Sequence, residues 1–205
     1  MVMWSRVLAA TVGGAGLVAG YVGVVSGAVT VEVGLGRRVR PLGPLEVLIA
    51  APRATVFDVL SEPYLGRQSR AVAEKIKIWA RGSDMVLAAH RTPIRGRLVA
   101  TTVESVTFTR PELVEFRLAR GPVPHVFEQF RLTGDDHSTR LRYVGELGTD
   151  GWALGARWGD LVAGRWERTV SATFLAVKAE AERRTGSPHG RDPSEGPRRD
   201  SSTSM

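Results

Sequence analysis

The sequence predicts an α+β domain: an antiparallel meander of about seven strands backed by one long C-terminal helix. Three observations point to it. Between Lys75 and Leu147, six apolar patterns of period two follow one another, parted only by turn-forming segments such as RGSD, TPIRG, RPE, RGPVP and TGDDHS. With no helical pattern between them, consecutive strands pair antiparallel. After them Trp158, Val162, Trp166, Val170 and Phe174 recur every four residues, the mark of a helix. Ahead of them the stretch IAAPRATVFDVLSEP (Ile49 to Pro63) passes abruptly from strand alternation to a helical stripe.

In chain order, Leu45, Val47 and Ile49 alternate as the buried face of a first strand. Pro52 suits the first turn of a helix, whose stripe is Val56, Phe57 and Leu60. Pro63 is expected to stop that helix and Tyr64 to Val72 to form a second short one. The strands that follow are expected at Lys75 to Ala80, Asp84 to His90, Arg97 to Thr109, Leu113 to Arg120, Val126 to Leu132 and Thr139 to Leu147. The long helix runs from near Trp152 to Arg184. Leu154, Leu161, Val177 and Ala181 are expected on its buried face, with Arg165, Glu167, Arg168, Lys178 and Glu180 outward.

At 205 residues and 43% apolar content the chain can bury one core of ordinary size. Four parts are expected: residues 1–31 a membrane anchor, 32–43 a basic juxtamembrane linker, 44–184 the folded domain, and 185–205 a disordered tail. The net charge of +7 comes from 28 Lys and Arg spread over the whole chain. No basic helix or basic stripe with interleaved aromatics gathers them, so a nucleic-acid partner is not expected. The absence of cysteine excludes disulfides, thiolate metal sites and a Cys nucleophile.

From Val7 to Val31 there are 25 residues without a charge, long enough as a helix to cross a hydrocarbon core of about 30 Å. Six glycines in that run weaken a helix in water and are tolerated in lipid. The Gly16/Gly20 and Gly23/Gly27 spacings suit close approach of two such helices in a homo-dimer. The alternative is a cleaved signal peptide, with Ser26-Gly27-Ala28 as its cleavage site. Arg37, Arg38 and Arg40 after the run, against Arg6 before it, lean a single-pass topology toward a cytoplasmic domain. Those arginines suit either anionic headgroups or plain solvation.

This order of elements resembles the START and birch-allergen-like superfamily called SRPBCC, within it the polyketide cyclase/dehydrase and lipid-transport group. The resemblance covers about Leu45 to Arg184. Its carriers are IAAPRATVFDVLSEP, the hairpin FEQFRLTGDDHSTRLRYVGEL and the helix WALGARWGDLVAGRWERTVSATFLAVKAEAERR. It implies the helix-grip fold, a curved antiparallel sheet wrapped around the C-terminal helix, with a cavity between them for a lipid, polyketide, steroid or other apolar molecule. It implies no shared catalytic residue and no cofactor.

Alternation in the last hairpin puts Val126, Glu128, Phe130 and Leu132 on one face, and Leu141, Tyr143, Gly145 and Leu147 on the facing one. A turn centred on GDDHST then sets Phe130 opposite Tyr143 and Glu128 opposite Gly145. A carboxylate so placed is a candidate general acid or base, because desolvation disfavours its charge. A register slipped by one residue would instead turn Phe127 inward. Tyr143 is a candidate to hold a ligand carbonyl, and His90 and His125 are candidate proton carriers at a cavity rim; each is also read as ordinary packing or surface. His90, His125, His137 and His189 lack metal-ligand spacing. Trp158, Val162 and Trp166, with Phe130, Tyr143 and Glu128, are the expected ligand-lining residues, and the same aromatic face serves as core.

No G-x-S-x-G elbow, phosphate loop or dinucleotide fingerprint stands at a strand-to-helix joint. The expected function is binding of a hydrophobic small molecule, lipid or polyketide-like, by a membrane-anchored domain. The alternative is a cyclase, aromatase or dehydratase with Glu128, His90 or Tyr143 as acid or base. A third possibility is a scaffold whose own side chains fill the cavity.

Overall fold

The computed structural model describes residues 16, 18–95 and 98–186. The expectations for residues 1–15 and for the tail beyond 186, His189 included, lie outside the described residues. One seven-stranded antiparallel sheet has the order β1-β7-β6-β5-β4-β3-β2. Its strands are β1 (Arg38–Ile49), β2 (Ile76–Arg81), β3 (Met85–Arg95), β4 (Leu98–Thr109), β5 (Leu113–Arg120), β6 (His125–Gly134) and β7 (Thr139–Thr149). Between β1 and β2 come α1 (Arg53–Leu65) and α2 (Arg70–Lys75), and α3 (Trp152–Gly186) ends the described chain. This is the expected helix-grip arrangement: β2 to β7 form a meander, and β1 joins β7 to complete the sheet.

Several boundaries differ from the sequence expectation, each for a local reason. β1 begins at Arg38, inside the stretch that reads as a basic linker, because β7 is long enough to pair with it as far as Arg38↔Thr149. A bulge between Leu42 and Leu45 interrupts the alternation there and hid the strand. β3 runs on through Thr92, Pro93 and Ile94, a segment expected to be a turn. Pro93 stands opposite Val99, and the register shifts between Pro93 and Arg95. Pro63 does not stop α1: the helix continues to Leu65, and Tyr64 is buried as part of it. α2 accordingly starts later, capped by Ser69, whose side chain accepts from the Val72 N–H.

α3 has 35 residues and packs on β1, β7 and α1. Its buried stripe is Val162, Ala163, Val170, Phe174, Val177 and Ala181. Each of the larger of these side chains contributes about 1.5–3 kcal/mol through burial. Leu154 and Leu161, expected on that stripe, are 80% and 54% exposed. Helix geometry explains both. A four-residue step turns about 40° past one full circle, so the recurrence Trp158 to Phe174 drifts around the helix and its N-terminal continuation, Leu154, leaves the core. Leu161 is nine residues from Val170 and so stands about 180° from it.

At the N-terminal end, residues 18–25 are helical, and the chain turns at Ser26 and Gly27. Among the described residues no helix is long and apolar enough to cross a membrane. The last part of the uncharged run does not behave as a span: from Ser26 onward it lies on the domain, where Ser26 O accepts from Thr101 N at 2.8 Å. Gly27 has φ +70, and a Cβ there would fall 2.0 Å from Thr101 O. Glycine at that position therefore seats a turn against β4, and the Gly23/Gly27 pair is not one continuous helix face. Arg37 is tied to Asp150, just before α3, at 2.7 Å and Arg40 to Asp160 within α3 at 2.9 Å, rather than left unpaired as in a solvated linker.

Candidate functional site

The sheet's inner face carries two carboxylates. On β6, Val126, Glu128, Phe130 and Leu132 all point inward, and Glu128 is 4% exposed. Glu128 stands opposite Gly145 on β7 and Phe116 on β5, and Phe130 stands opposite Tyr143, as alternation predicted. Gly145 makes room: a Cβ there would lie 2.7 Å from Phe127 O and 3.3 Å from Glu128 Cγ. Glu128 Oε1 accepts from the Tyr143 hydroxyl at 2.7 Å and from Trp166 Nε1 of α3 at 2.6 Å. Sheet and helix therefore meet on one carboxyl oxygen.

The second carboxylate is Glu104 on β4, buried opposite Ala88 and Leu118. Its Oε2 lies 3.0 Å from His90 Nδ1 of β3. That contact misses hydrogen-bond alignment at Nδ1, so the pair is held chiefly by charge. On the ring's other side, His90 Nε2 and the Tyr64 hydroxyl of α1 are 3.1 Å apart.

The two acids are driven in opposite directions. Burial, then the charge of Glu104, raises Glu128 to about 8, against the smaller opposing effect of its Tyr143 and Trp166 hydrogen bonds. Burial is the largest single influence on Glu104 and works against its charge, but the charge and contact of His90, with a smaller effect of Thr102, together outweigh it and Glu104 is lowered. Burial likewise opposes the charge on His90, and Glu104 overrides it so that the imidazole is raised. Glu104 and His90 thus favour each other's charged forms, while Glu128 holds its proton at neutral pH, a divergence of the kind that separates acid and base roles between carboxyls. Tyr64 and Tyr143 are both raised, by burial first and then by the nearby acids, so both stay protonated.

Aromatic rings fill the middle of the grip. Phe130 meets Tyr143 at 5.1 Å, Phe116 at 5.3 Å and Phe174 at 6.1 Å between ring centroids, and Tyr64 meets Phe116 at 5.7 Å. A pocket of about 300 Å³ lies at one end, bounded by Trp158 and Leu154 of α3, Pro122 and Pro124 of the β5–β6 loop, Val31 and Val33, with Thr149 and Asp150. A second, of about 310 Å³ and with a more polar lining, lies between α1 and the far end of α3, at Ser61, Glu62, Arg110 and Arg184. Trp158 Nε1 donates to Pro122 O at 2.8 Å and fixes the indole as a wall. Trp158 is eight residues before Trp166, about 12 Å along the helix from the Glu128 cluster.

The residues singled out in the sequence thus divide. Trp158 lines the end pocket; Glu128, Tyr143, Phe130 and Trp166 meet inside the grip, and Val162 is in the core. His90 is not at a rim as expected: it is paired near the middle of β3, opposite Ile76 and Thr102. His125 opens β6 and pairs with Glu146 at 2.8 Å on the surface. Glu104 and Tyr64 went unrecognised. Glu104 shares its parity with Val106 and Phe108 in β4, and Tyr64 follows Phe57 and Leu60 at helical spacing. Both signals were present, the second masked by Pro63.

No family model matches the chain, and no curated protein matches it. Solved structures do. The Zhui aromatase/cyclase from Streptomyces sp. R1128 superposes with a TM-score of 0.61 at 20% identity, covering 76% of this chain and 99% of that one. A Thermus thermophilus protein gives 0.54 at 12% identity, over 72% of this chain and 99% of its own. The di-domain aromatase/cyclase StfQ from the steffimycin biosynthetic pathway gives 0.53 at 16% identity, over 74% of this chain and 52% of its own. At these identities the likeness is one of fold: the domain shares the helix-grip fold of these structures.

Proposed function

We propose that this protein binds an uncharged apolar small molecule, lipid- or polyketide-like, between the sheet and the C-terminal helix, at the end where the Trp158 pocket opens. The observation that carries this reading is the pocket itself: about 300 Å³, walled mainly by indole, proline, valine and leucine, with Thr149 and Asp150 at its border. The filled centre of the grip supports seating the ligand at this end. We read the uncharged residues ahead of Val24 as a membrane tether that sets the pocket beside a reservoir of apolar ligand. Trp152, Leu154, Val31 and Val33, all exposed around the same end, support that setting. Native mass spectrometry of the full chain from its own host tests the binding: a co-purifying mass is expected, with occupancy lowered about tenfold or more by Trp158→Ala. A wild-type chain without bound mass, or one whose occupancy is indifferent to Trp158→Ala, sinks the reading.

A second reading, an acid–base enzyme of the cyclase, aromatase or dehydratase type, is favoured by one observation, the proton held on Glu128 to about pH 8 beside Tyr143 and Trp166. The superposition on two proteins named aromatase/cyclase supports it. A buried, protonated carboxyl is the acid that loss of water requires. Its proton would go to the departing hydroxyl, and the carboxylate left behind would take the proton from the carbon that becomes part of the new double bond. His90 and Tyr143 would serve as the charge partner of Glu104 and a hydrogen-bond donor. Under this reading Glu128→Gln accumulates a bound species heavier by one water than the wild-type ligand; an identical ligand mass in both rules it out.

A further inference from the structure

The segment ahead of β1 crosses the open end of the grip. It is fastened at three places. Ser26 O accepts from Thr101 N of β4. Thr30 Oγ1 donates to Gly121 O at 2.7 Å and accepts from Gly121 N at 3.1 Å, closing on the β5–β6 loop from both sides. At the start of α3, Asp150 Oδ2 accepts from the N–H groups of Val33 and Gly34 at 2.9 and 2.8 Å, and its Oδ1 accepts from Arg37 Nε at 2.7 Å. The Asp150 side chain is 1% exposed although it belongs to a surface connection. Just beyond it, Leu35 O and Gly36 O accept from the N–H groups of Gly151 and Trp152. Along this segment Val31 and Val33, with Val24 just ahead of the first fastening, line the pocket together with Trp158 and Pro122.

We propose that residues 24–37 are a strap forming the outer wall of the ligand site, with Val31 and Val33 setting the size and apolar class of what it admits and Asp150 latching it shut. The inference rests on the reading of the Trp158 pocket as the ligand seat. It goes beyond it in making the site composite: the grip alone supplies only part of the wall. Val31 and Val33 carry no polar atom on their side chains, and the Asp150 carboxylate that also borders the pocket is taken up by Arg37 and the Val33 and Gly34 N–H groups, so the class selected is uncharged, with a flat face against Trp158 and the prolines. The latch is charged throughout the neutral range, because Arg37 and the Gly34 N–H hold the Asp150 carboxyl down to about 2. A ligand touching strap and helix together holds the strap closed, and by linkage a closed strap holds the ligand. Because the strap continues directly from the N-terminal run, tension or lipid contact at that end bears on ligand release.

The test uses the full chain in detergent, 2-naphthol as an uncharged flat probe, titration calorimetry against a detergent blank, and amide hydrogen exchange. In wild type, 2-naphthol should bind and slow exchange across residues 30–36. Asp150→Asn should speed exchange at the Val33 and Gly34 amides and weaken 2-naphthol about tenfold. Val31→Trp, at a half-exposed position and therefore independent of whether the Asp150 variant folds, should fill the pocket and weaken the probe by a similar factor or more. A wild-type chain that binds neither 2-naphthol nor a co-purified apolar molecule overturns the ligand reading and the strap with it. Probe binding unchanged by both variants, or Val33 and Gly34 amides no faster in Asp150→Asn, overturns the strap alone.

Discussion

Glu128→Gln should match wild type in stability near pH 4 and exceed it by on the order of a few kcal/mol at pH 9. In the folded chain Glu128 keeps its proton to about pH 8, against about 4.3 for an unperturbed glutamate. A group whose folded pKa is raised gives its full contribution below the unfolded value and loses it as pH rises through the folded value. The window is therefore about pH 4 to 8, with a constant difference above it. Glutamine reproduces the protonated acid: its Oε1 can accept from Tyr143 and Trp166 as Glu128 Oε1 does, with an amide nitrogen in place of the acid hydroxyl. Urea unfolding of both proteins from pH 4 to pH 9 reads the difference. Parallel curves would mean that Glu128 is ionised at neutral pH, and would remove the acid on which the enzymatic reading depends.

Phe130→Ala should lower stability by about 3–5 kcal/mol, the range for removing a buried aromatic ring. The ring is 5% exposed and touches Phe116, Tyr143 and Phe174, one from each neighbouring strand and one from α3. Truncation would leave a void that these rings cannot close together, since each is fixed by its own strand or helix. In thermal unfolding the loss should appear as a fall in Tm of about 10 °C or more. The result bears on where a ligand sits. A cost below about 1 kcal/mol would mark the centre of the grip as loosely filled and able to accept a ligand. The expected large cost is that of a packed core, which leaves the Trp158 end as the seat.

Much of the architecture was legible because it is periodic. Strand alternation located the last hairpin and its register, so Glu128 opposite Gly145 and Phe130 opposite Tyr143 followed from counting outward from GDDHST. The four-residue recurrence located α3, although the same repeat misplaced Leu154: a step of four drifts against a period of 3.6. Where local rules met longer-range pairing, pairing prevailed. Arg38 to Gly43 and Thr92 to Ile94 are strand because a neighbouring strand extends beside them.

The candidate site was half visible. Glu128 announced itself as a carboxylate on an inward face. Its partner system, Glu104 with His90 and Tyr64, joins β4, β3 and α1, and no spacing in the chain relates those three residues. The strap was misread as membrane span and solvated linker. Its attachments are mostly backbone N–H and C=O groups, which every residue carries and no sequence pattern distinguishes.

The sequence by itself determined the order of elements, the inward face of each central strand and the helix that covers them, because burial imposes periods of 2 and about 3.6 that side chains must obey. Only the tertiary structure decided that rings meet in the centre, that an apolar pocket opens at the Trp158 end, and that residues 26–37 are bonded across that end. Those outcomes depend on volumes and backbone hydrogen bonds brought together from distant parts of the chain, and neither has a period to read.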